Sequence, residues 1–263
     1  VTNALAEQAL PVPETVRPWI TDIASVRVTG PLEDSFTHVP DTATQVVVRV
    51  GADGRRDMMV VGPRTRAAYH ADADKQVVSC VQVRLGPGAT RPLLGVPAVD
   101  LVGRVLPLRE LPSATARQLA RALADLEQEE YAAHLAATLP SPATPSRDRL
   151  LRAAVAALST HHDRTPAPVQ DVARELAVSE RQLRNLFAEG VGVSPKHYAR
   201  IHRVRHVLTH ATTAPWAELA AATGYYDQSH MTADFRTLMG VPPRAFFTGR
   251  LPRATPCQAT RHR

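Results

Sequence analysis

The sequence predicts an α+β protein of two domains: a small β-rich domain followed by a helix, then an all-α domain of two helix-turn-helix units joined by a connecting helix. Three observations carry this. One pattern occurs twice between Val172 and Pro243. Short β-rich runs, separated by Gly, Pro and Asp, lie between Ile23 and Leu85. Between the two regions stands the exposed, semi-stiff run Pro140-Ser141-Pro142-Ala143-Thr144-Pro145. The expected organisation is therefore a domain over 1–139, a linker over 140–146, a helical domain over 147–248 and a disordered Pro/Arg-rich tail over 249–263.

Residues 1–20 contain Pro11, Pro13 and Pro18 and read as an irregular lead-in around Trp19. Strands are expected at Ile23–Val28, Thr44–Val50, Met58–Val61 and Val77–Leu85, with breaks at Ala52-Asp53-Gly54 and Gly86-Pro87-Gly88. Their spacing fits a small sheet, sandwich or open barrel. Ser113 to Leu139 reads as one long helix. Leu119, Leu123, Leu126 and Leu135 form its apolar stripe, with Arg117, Arg121 and Asp125 outside. Such a stripe packs on its own domain or pairs two subunits into a homodimer.

The helical domain opens with Arg149–His161, whose Leu150, Leu151, Ala154, Val155 and Leu158 turn inward. The repeat follows. Val172-Ala173 recurs as Leu219-Ala220 and Ala177 as Gly224, at an offset of 47 residues. After one inserted residue the offset is 48: Ser179 matches Asp227, Leu183 matches Met231, Phe187 matches Phe235, Gly192 matches Gly240 and Pro195 matches Pro243. A repeat fixes the structural unit. Here it is an apolar-Ala helix, a sharp turn, an N-cap (Ser179 or Asp227) and a second helix ending in Gly-x-x-Pro. Pro195 to His210 is the connecting helix, with Tyr198, Ile201, Val204 and Leu208 inward.

Charge is divided unequally. From Arg147 onward there are 17 Lys and Arg against 9 Asp and Glu, while the remainder holds 14 against 16. The whole excess lies on the repeats, the electrostatic footprint of a phosphate-binding surface, though a solvated basic face would give the same count. Two helices about one duplex turn apart (roughly 34 Å) can enter successive major grooves. No stretch is long and apolar enough to span a membrane. The N-terminus lacks a basic start with an apolar run, so no signal peptide is expected and the location is cytoplasmic. The two cysteines, Cys80 and Cys257, are expected to be reduced thiols. High Ala, Arg and Pro with little Lys is the composition of a GC-rich bacterial genome.

The segment Gly224-Tyr225-Tyr226-Asp227-Gln228-Ser229-His230-Met231, with Phe235 and Gly240-Val241-Pro242-Pro243, resembles the DNA-binding domain of the AraC/XylS family of bacterial transcription regulators. Ser179-x-x-x-Leu183-x-x-x-Phe187 and Gly192-x-Ser194-Pro195 resemble its first unit, and the resemblance spans roughly 148–248. Val83–Ala89 through Pro92–Pro97 resembles a reduced, cupin-like sensory domain of some members. The resemblance implies base readout by Arg181, Gln182, Arg184 and Asn185 in the first unit and by Gln228, Ser229, His230 and Thr232 in the second. It implies phosphate contacts at Ser179, Lys196, Arg200, Arg236 and Arg244. Duplex DNA is the expected partner, RNA polymerase a further one for an activator. A small-molecule effector is implied, with Arg84 and Arg91 as candidate anion contacts; control by a protein partner is the alternative. Two departures stand out: Ala177 occupies a position usually held by Gly, and Ala233 one often held by a basic residue.

Other chemistry finds little support. His38 and His70 stand alone in sequence, and His202, His206 and His210 share one stripe of a helix already explained as the connector, so no metal is expected. No catalytic set assembles, no cofactor is implied, and Gly86-x-Gly88 is too short for a phosphate loop. An enzyme fused to the repeats, as in alkylation-repair relatives, would need a reactive thiol and a Cys-rich metal site, which two cysteines do not supply.

Overall fold

The computed structural model describes residues 5–28, 35–71, 77–127, 130–139, 146–160, 166–211 and 214–256. Its strands are β1 (Leu5–Leu10), β2 (Ile20–Val28), β3 (Ser35–His38), β4 (Gln45–Gly51), β5 (Arg56–Val61), β6 (Ala68–Ala71), β7 (Val77–Leu85), β8 (Val105–Pro107) and β9 (Thr255–Pro256). Six form one antiparallel sheet in the order β1-β2-β7-β4-β5-β8, and three form a second in the order β3-β6-β9. All four expected strands are present. β1, by contrast, lies inside the expected irregular lead-in. It pairs residue for residue with β2, from Leu5 opposite Val28 to Leu10 opposite Ile23.

Register explains the core. Ile23 pairs with Val83, Val83 with Val46 and Val46 with Val60, so one row of β-branched residues crosses four strands. All four are buried. Alternation along each strand puts these side chains on one face, which α1 (Thr90–Leu94), α2 (Ala114–Asp125) and α3 (Tyr131–Thr138) cover with Leu93, Leu94, Leu119, Leu123, Tyr131 and Leu135.

The single helix expected over Ser113–Leu139 is instead two. Leu126 leaves the helix with extended backbone, and the Arg56 guanidinium donates to its carbonyl and to Glu127. The Tyr131 hydroxyl donates back to Leu123 O. The turn brings α3 onto the sheet, so the apolar stripe considered for a homodimer is spent largely on the domain's own core.

The helical region contains α4 (Ser146–Leu158), α5 (Val169–Glu175), α6 (Glu180–Gly190), α7 (Pro195–His210), α8 (Trp216–Ala222), α9 (Gln228–Met239) and α10 (Pro243–Phe247). The sequence repeat is a structural one. Ala177 and Gly224 both take positive φ, 53° and 73°, as do Gly192 and Gly240, 91° and 77°. Val178 N donates to Ala173 O, and Tyr225 N to Ala220 O, closing the two turns alike. Leu183, Phe187, Met231 and Phe235 are each fully buried. Each unit has its own apolar cluster; α7 contributes Tyr198 to the first and Ile201, Val204 and Val207 to the second. The linker run 140–145, His161 and Cys257 lie outside the described residues.

Ala177 thus holds a left-handed conformation that costs an alanine about 1–2 kcal/mol, against about 0.5–1 kcal/mol for the extra chain entropy of glycine. Its side chain is exposed. Ala177→Gly is therefore expected to stabilise the protein by about 0.5–1 kcal/mol in urea unfolding. A loss of stability would show that the methyl group packs.

The β-rich domain docks along the whole helical region. Gly88 N donates to Gly190 O, at the end of α6. Ala67 N donates to Leu238 O, and the Tyr69 hydroxyl to Met239 O at 2.6 Å, at the end of α9. In between, Arg205 of α7 donates to Pro40 O and pairs with Asp41, while Thr42 meets His202. The tail, expected to be disordered, sets Thr255–Pro256 parallel to β6. Backbones meet closely here: a Cβ on Gly192 would stand 2.8 Å from Ala98 O, and one on Gly190 would approach the Gly88 Cα to 3.3 Å.

Asp41 is the hub of this seam. Its carboxylate is 5% exposed and accepts from Arg84 at 2.5 Å, with Arg205 at 3.5 Å. Gln45 and the Ala43 N–H also donate to it. Burial alone would raise its pKa, but Arg84 and Arg205 outweigh that and hold it below the usual carboxylate range. Arg64 stands in the same cluster, its own pKa lowered by burial in spite of Asp41.

Candidate nucleic-acid interface

Each unit presents a helix whose first turn is exposed and whose other face is locked into a core. In the first, the Ser179 hydroxyl accepts from Gln182 N while Gln182 Oε1 accepts from Ser179 N at 2.8 Å. This reciprocal cap satisfies donors at the start of α6. Ser179 and Gln182, both expected to touch DNA, form this cap and stay exposed. The Ser-x-x-Gln spacing is the sequence signal for it. Arg181, Arg184 and Asn185 stay exposed, with Arg184 Nε 3.3 Å from Glu180 O.

In the second, Asp227 Oδ1 accepts from His230 N at 2.7 Å and caps α9. Gln228, Ser229 and His230 are exposed, and Thr232 is half-buried. Gln228, Ser229, Thr232, Ala233 and Arg236 share one solvent-facing side of α9. The His230 ring meets the buried Tyr225 ring edge-on, centroids 5.2 Å apart. Tyr226, one residue on, is 94% exposed beside the start of α9. Nothing in the sequence separates these two tyrosines; the turn geometry buries one and displays the other.

The phosphate candidates divide. Lys196, Arg236 and Arg244 are exposed. Arg200 is not: its guanidinium grips Asp234 at 2.8 Å, with Arg203 3.7 Å from the same carboxylate. Arg203 also lies over the Tyr225 ring, 4.7 Å from its centroid. Arg200 thus ties α7 to α9 across the second unit. His202 stacks on Tyr198 and His206 on His210, each at 4.1 Å.

His38 and His70, isolated in sequence, meet across β3 and β6 with ring centroids 5.3 Å apart. Burial, Arg64 and His70 push His38 down to about 4. Among the described residues no group of three or more His, Cys, Asp or Glu side chains is placed to hold a metal. No helix among them is long and apolar enough to cross a membrane. Of the two effector candidates, Arg84 faces the seam, whereas Arg91 on α1 is exposed.

Two capped helices, each the second member of a tight helical pair and each with an exposed first turn, define a doubled helix-turn-helix architecture. Residues 172–249 match the helix-turn-helix domain family. The chain carries an AraC-type helix-turn-helix domain there, the DNA-binding module of transcription regulators. Among solved structures, the C-terminal domain of AraT, a response regulator from Geobacillus stearothermophilus, is similar at 22% identity over 45% of this chain and 100% of that one, with a TM-score of 0.36. ToxT from Vibrio cholerae is similar at 8% identity over 94% of this chain and 98% of that one, with a TM-score of 0.41. No curated protein sequence matches the chain.

Proposed function

We propose that the protein is a sequence-specific transcription regulator in which α6 and α9 read successive major grooves of one duplex and the β-rich domain governs that reading through a small-molecule effector. The observation that supports it best is the duplication itself. Two units share turn geometry, cap and buried positions, and each leaves the polar first turn of its second helix exposed. First-turn residues of such a helix reach base edges, whereas exposed cations elsewhere meet phosphates. On this reading Arg181, Arg184, Asn185, Gln228, Ser229, His230 and Thr232 discriminate bases, and Lys196, Arg236 and Arg244 bind the backbone. The docking of the β-rich domain along both units supports a regulatory role for it. Control by a protein partner instead of a small molecule remains the second reading.

The test is a titration of the full chain against its own upstream region and against random DNA, at two salt concentrations. Arg181→Ala and Gln228→Ala are each expected to cost about 1–3 kcal/mol on the specific site and little on random sequence. Lys196→Ala should weaken both and reduce the salt slope by about one. Equal losses on both DNAs for Arg181→Ala would place that residue on the backbone, and absence of binding at low salt would end the DNA reading.

A further inference from the structure

The turn of the second unit exceeds that of the first by one residue. Val178 N donates to Ala173 O and Tyr225 N to Ala220 O, so Tyr225 stands where Val178 does. Ser179 and Asp227 then cap the helices that follow, one position after Val178 but two after Tyr225. The inserted residue is therefore Tyr226. It is 94% exposed, while no other large hydrophobic side chain among the described residues passes 46%. Single apolar side chains on a surface are ordinary. This one is almost bare, and it stands at the end of α9 that carries Gln228, Ser229 and His230, all exposed.

The turn fixes Tyr226 from both sides. Gly224 makes the bend, with a φ of 73°. Tyr225 is buried, with the Arg203 guanidinium 4.7 Å from its ring centroid and His230 edge-on at 5.2 Å. The Asp227 carboxylate accepts from His230 N at 2.7 Å. The Tyr226 ring thus leaves a fixed backbone through only two rotatable bonds. Such a side chain offers a large contact surface for little loss of conformational freedom. Its position decides what it touches. It precedes the N-cap, one step outside the helix that enters the groove, so it meets the lip of the groove, where sugar and phosphate run. A phenol suits that lip, because its ring packs on a sugar and its hydroxyl donates to a phosphate oxygen.

We infer that Tyr226 is a backbone anchor of the second unit on duplex DNA, its ring against a deoxyribose and its hydroxyl donating to a phosphate oxygen at the groove's edge. The first unit has no counterpart, so the anchor makes the two units unequal. The inference rests on the DNA-binding reading above and adds to it a contact that neither the basic residues nor the shared positions of the repeat supply. Tyrosine carries no cation, so the contact releases no counterion, and its loss lowers affinity without changing the salt dependence.

The experiment titrates the full chain with a random-sequence duplex and with its own upstream region, at several salt concentrations. Tyr226→Phe should weaken both by about tenfold, the scale of a hydrogen bond to a charged acceptor. Tyr226→Ala should weaken both further, since the ring is lost as well. Neither should move the salt slope, in contrast to Lys196→Ala, and neither should move the melting temperature, because the side chain is exposed. Tyr226→Trp reads the contact directly. Its indole should be open to acrylamide quenching in the free protein and shielded when the random duplex is bound, beyond any change in the wild type, whose background comes from Trp19 and Trp216. Wild-type affinity in Tyr226→Phe or Tyr226→Ala, an indole no better shielded with DNA, or a reduced salt slope would each overturn the anchor while leaving DNA binding in place. A loss confined to the upstream region would overturn it too, and would make Tyr226 a reader of bases. A wild type that binds neither duplex at low salt would remove the DNA-binding reading and the anchor with it.

Discussion

Phe235→Ala is expected to destabilise the protein by about 3–5 kcal/mol, the range for deleting a fully buried phenyl ring. Phe235 is inaccessible to solvent and stands at the centre of the second unit's cluster, among Ile201, Val204, Leu219, Met231 and Leu238. Phe246 meets it edge-on, with centroids 5.9 Å apart. Removing the ring leaves a void beside seven-residue α8 and five-residue α10, helices too short to fill it by sliding. Because the first unit has a separate cluster around Phe187, the loss should be local. Amide exchange in 216–247 should accelerate well before that in 169–190. Phe235→Leu keeps most of the volume and should cost far less. Equal acceleration in both units would show that they melt as one body through α7. A cost below about 1 kcal/mol would contradict the burial itself.

The doubled unit was legible because everything that makes it is local. Ser179 and Asp227 cap the helices that begin beside them, and the buried positions repeat at helical spacing. Even the strain at Ala177 could be read, since its counterpart is Gly224. Four strands were legible for the same reason, as runs of Val and Ile between breakers. What escaped depends on partners distant in sequence. β1 carries Glu7 and Gln8, runs straight into Pro11 and Pro13, and becomes a strand only by pairing with β2. Helical periodicity runs on through Leu126, but Arg56, 70 positions away, takes the carbonyl where the helix ends. The pairing of Arg200 with Asp234 joins two helices and is not local, and the cap made by Gln182 uses a residue type that also suits a base contact. The seam was invisible altogether: Asp41 follows a proline in a loop, and its partner Arg205 lies more than 160 positions on, within the connecting helix.

Asp41→Ala is the second large effect expected, about 2–4 kcal/mol. Removing one member of a buried ion pair costs about 3–5 kcal/mol, because the opposite charge stays behind unpaired. The figure is reduced here since Arg84 and Arg205 retain 28% and 35% side-chain exposure and water can screen them. The damage should fall on the docking between domains. In Asp41→Ala, Arg64, Arg84 and Arg205 repel one another across the seam, so the domains should part before either core unfolds. Limited proteolysis between residues 139 and 166 should quicken while far-ultraviolet dichroism is unchanged. The pH dependence follows from the lowered pKa of Asp41. A carboxyl held lower in the folded than in the unfolded state contributes stability fully above its unfolded value, near 4, and loses it as pH falls toward the folded one. The stability difference between wild type and Asp41→Asn should therefore be constant from pH 5 to 7 and shrink below about 4. A difference that stays constant down to pH 2 would mean that the carboxylate carries no charge-dependent part of the seam. Loss of secondary structure together with docking would mean that the β-rich domain cannot stand without the helices it holds.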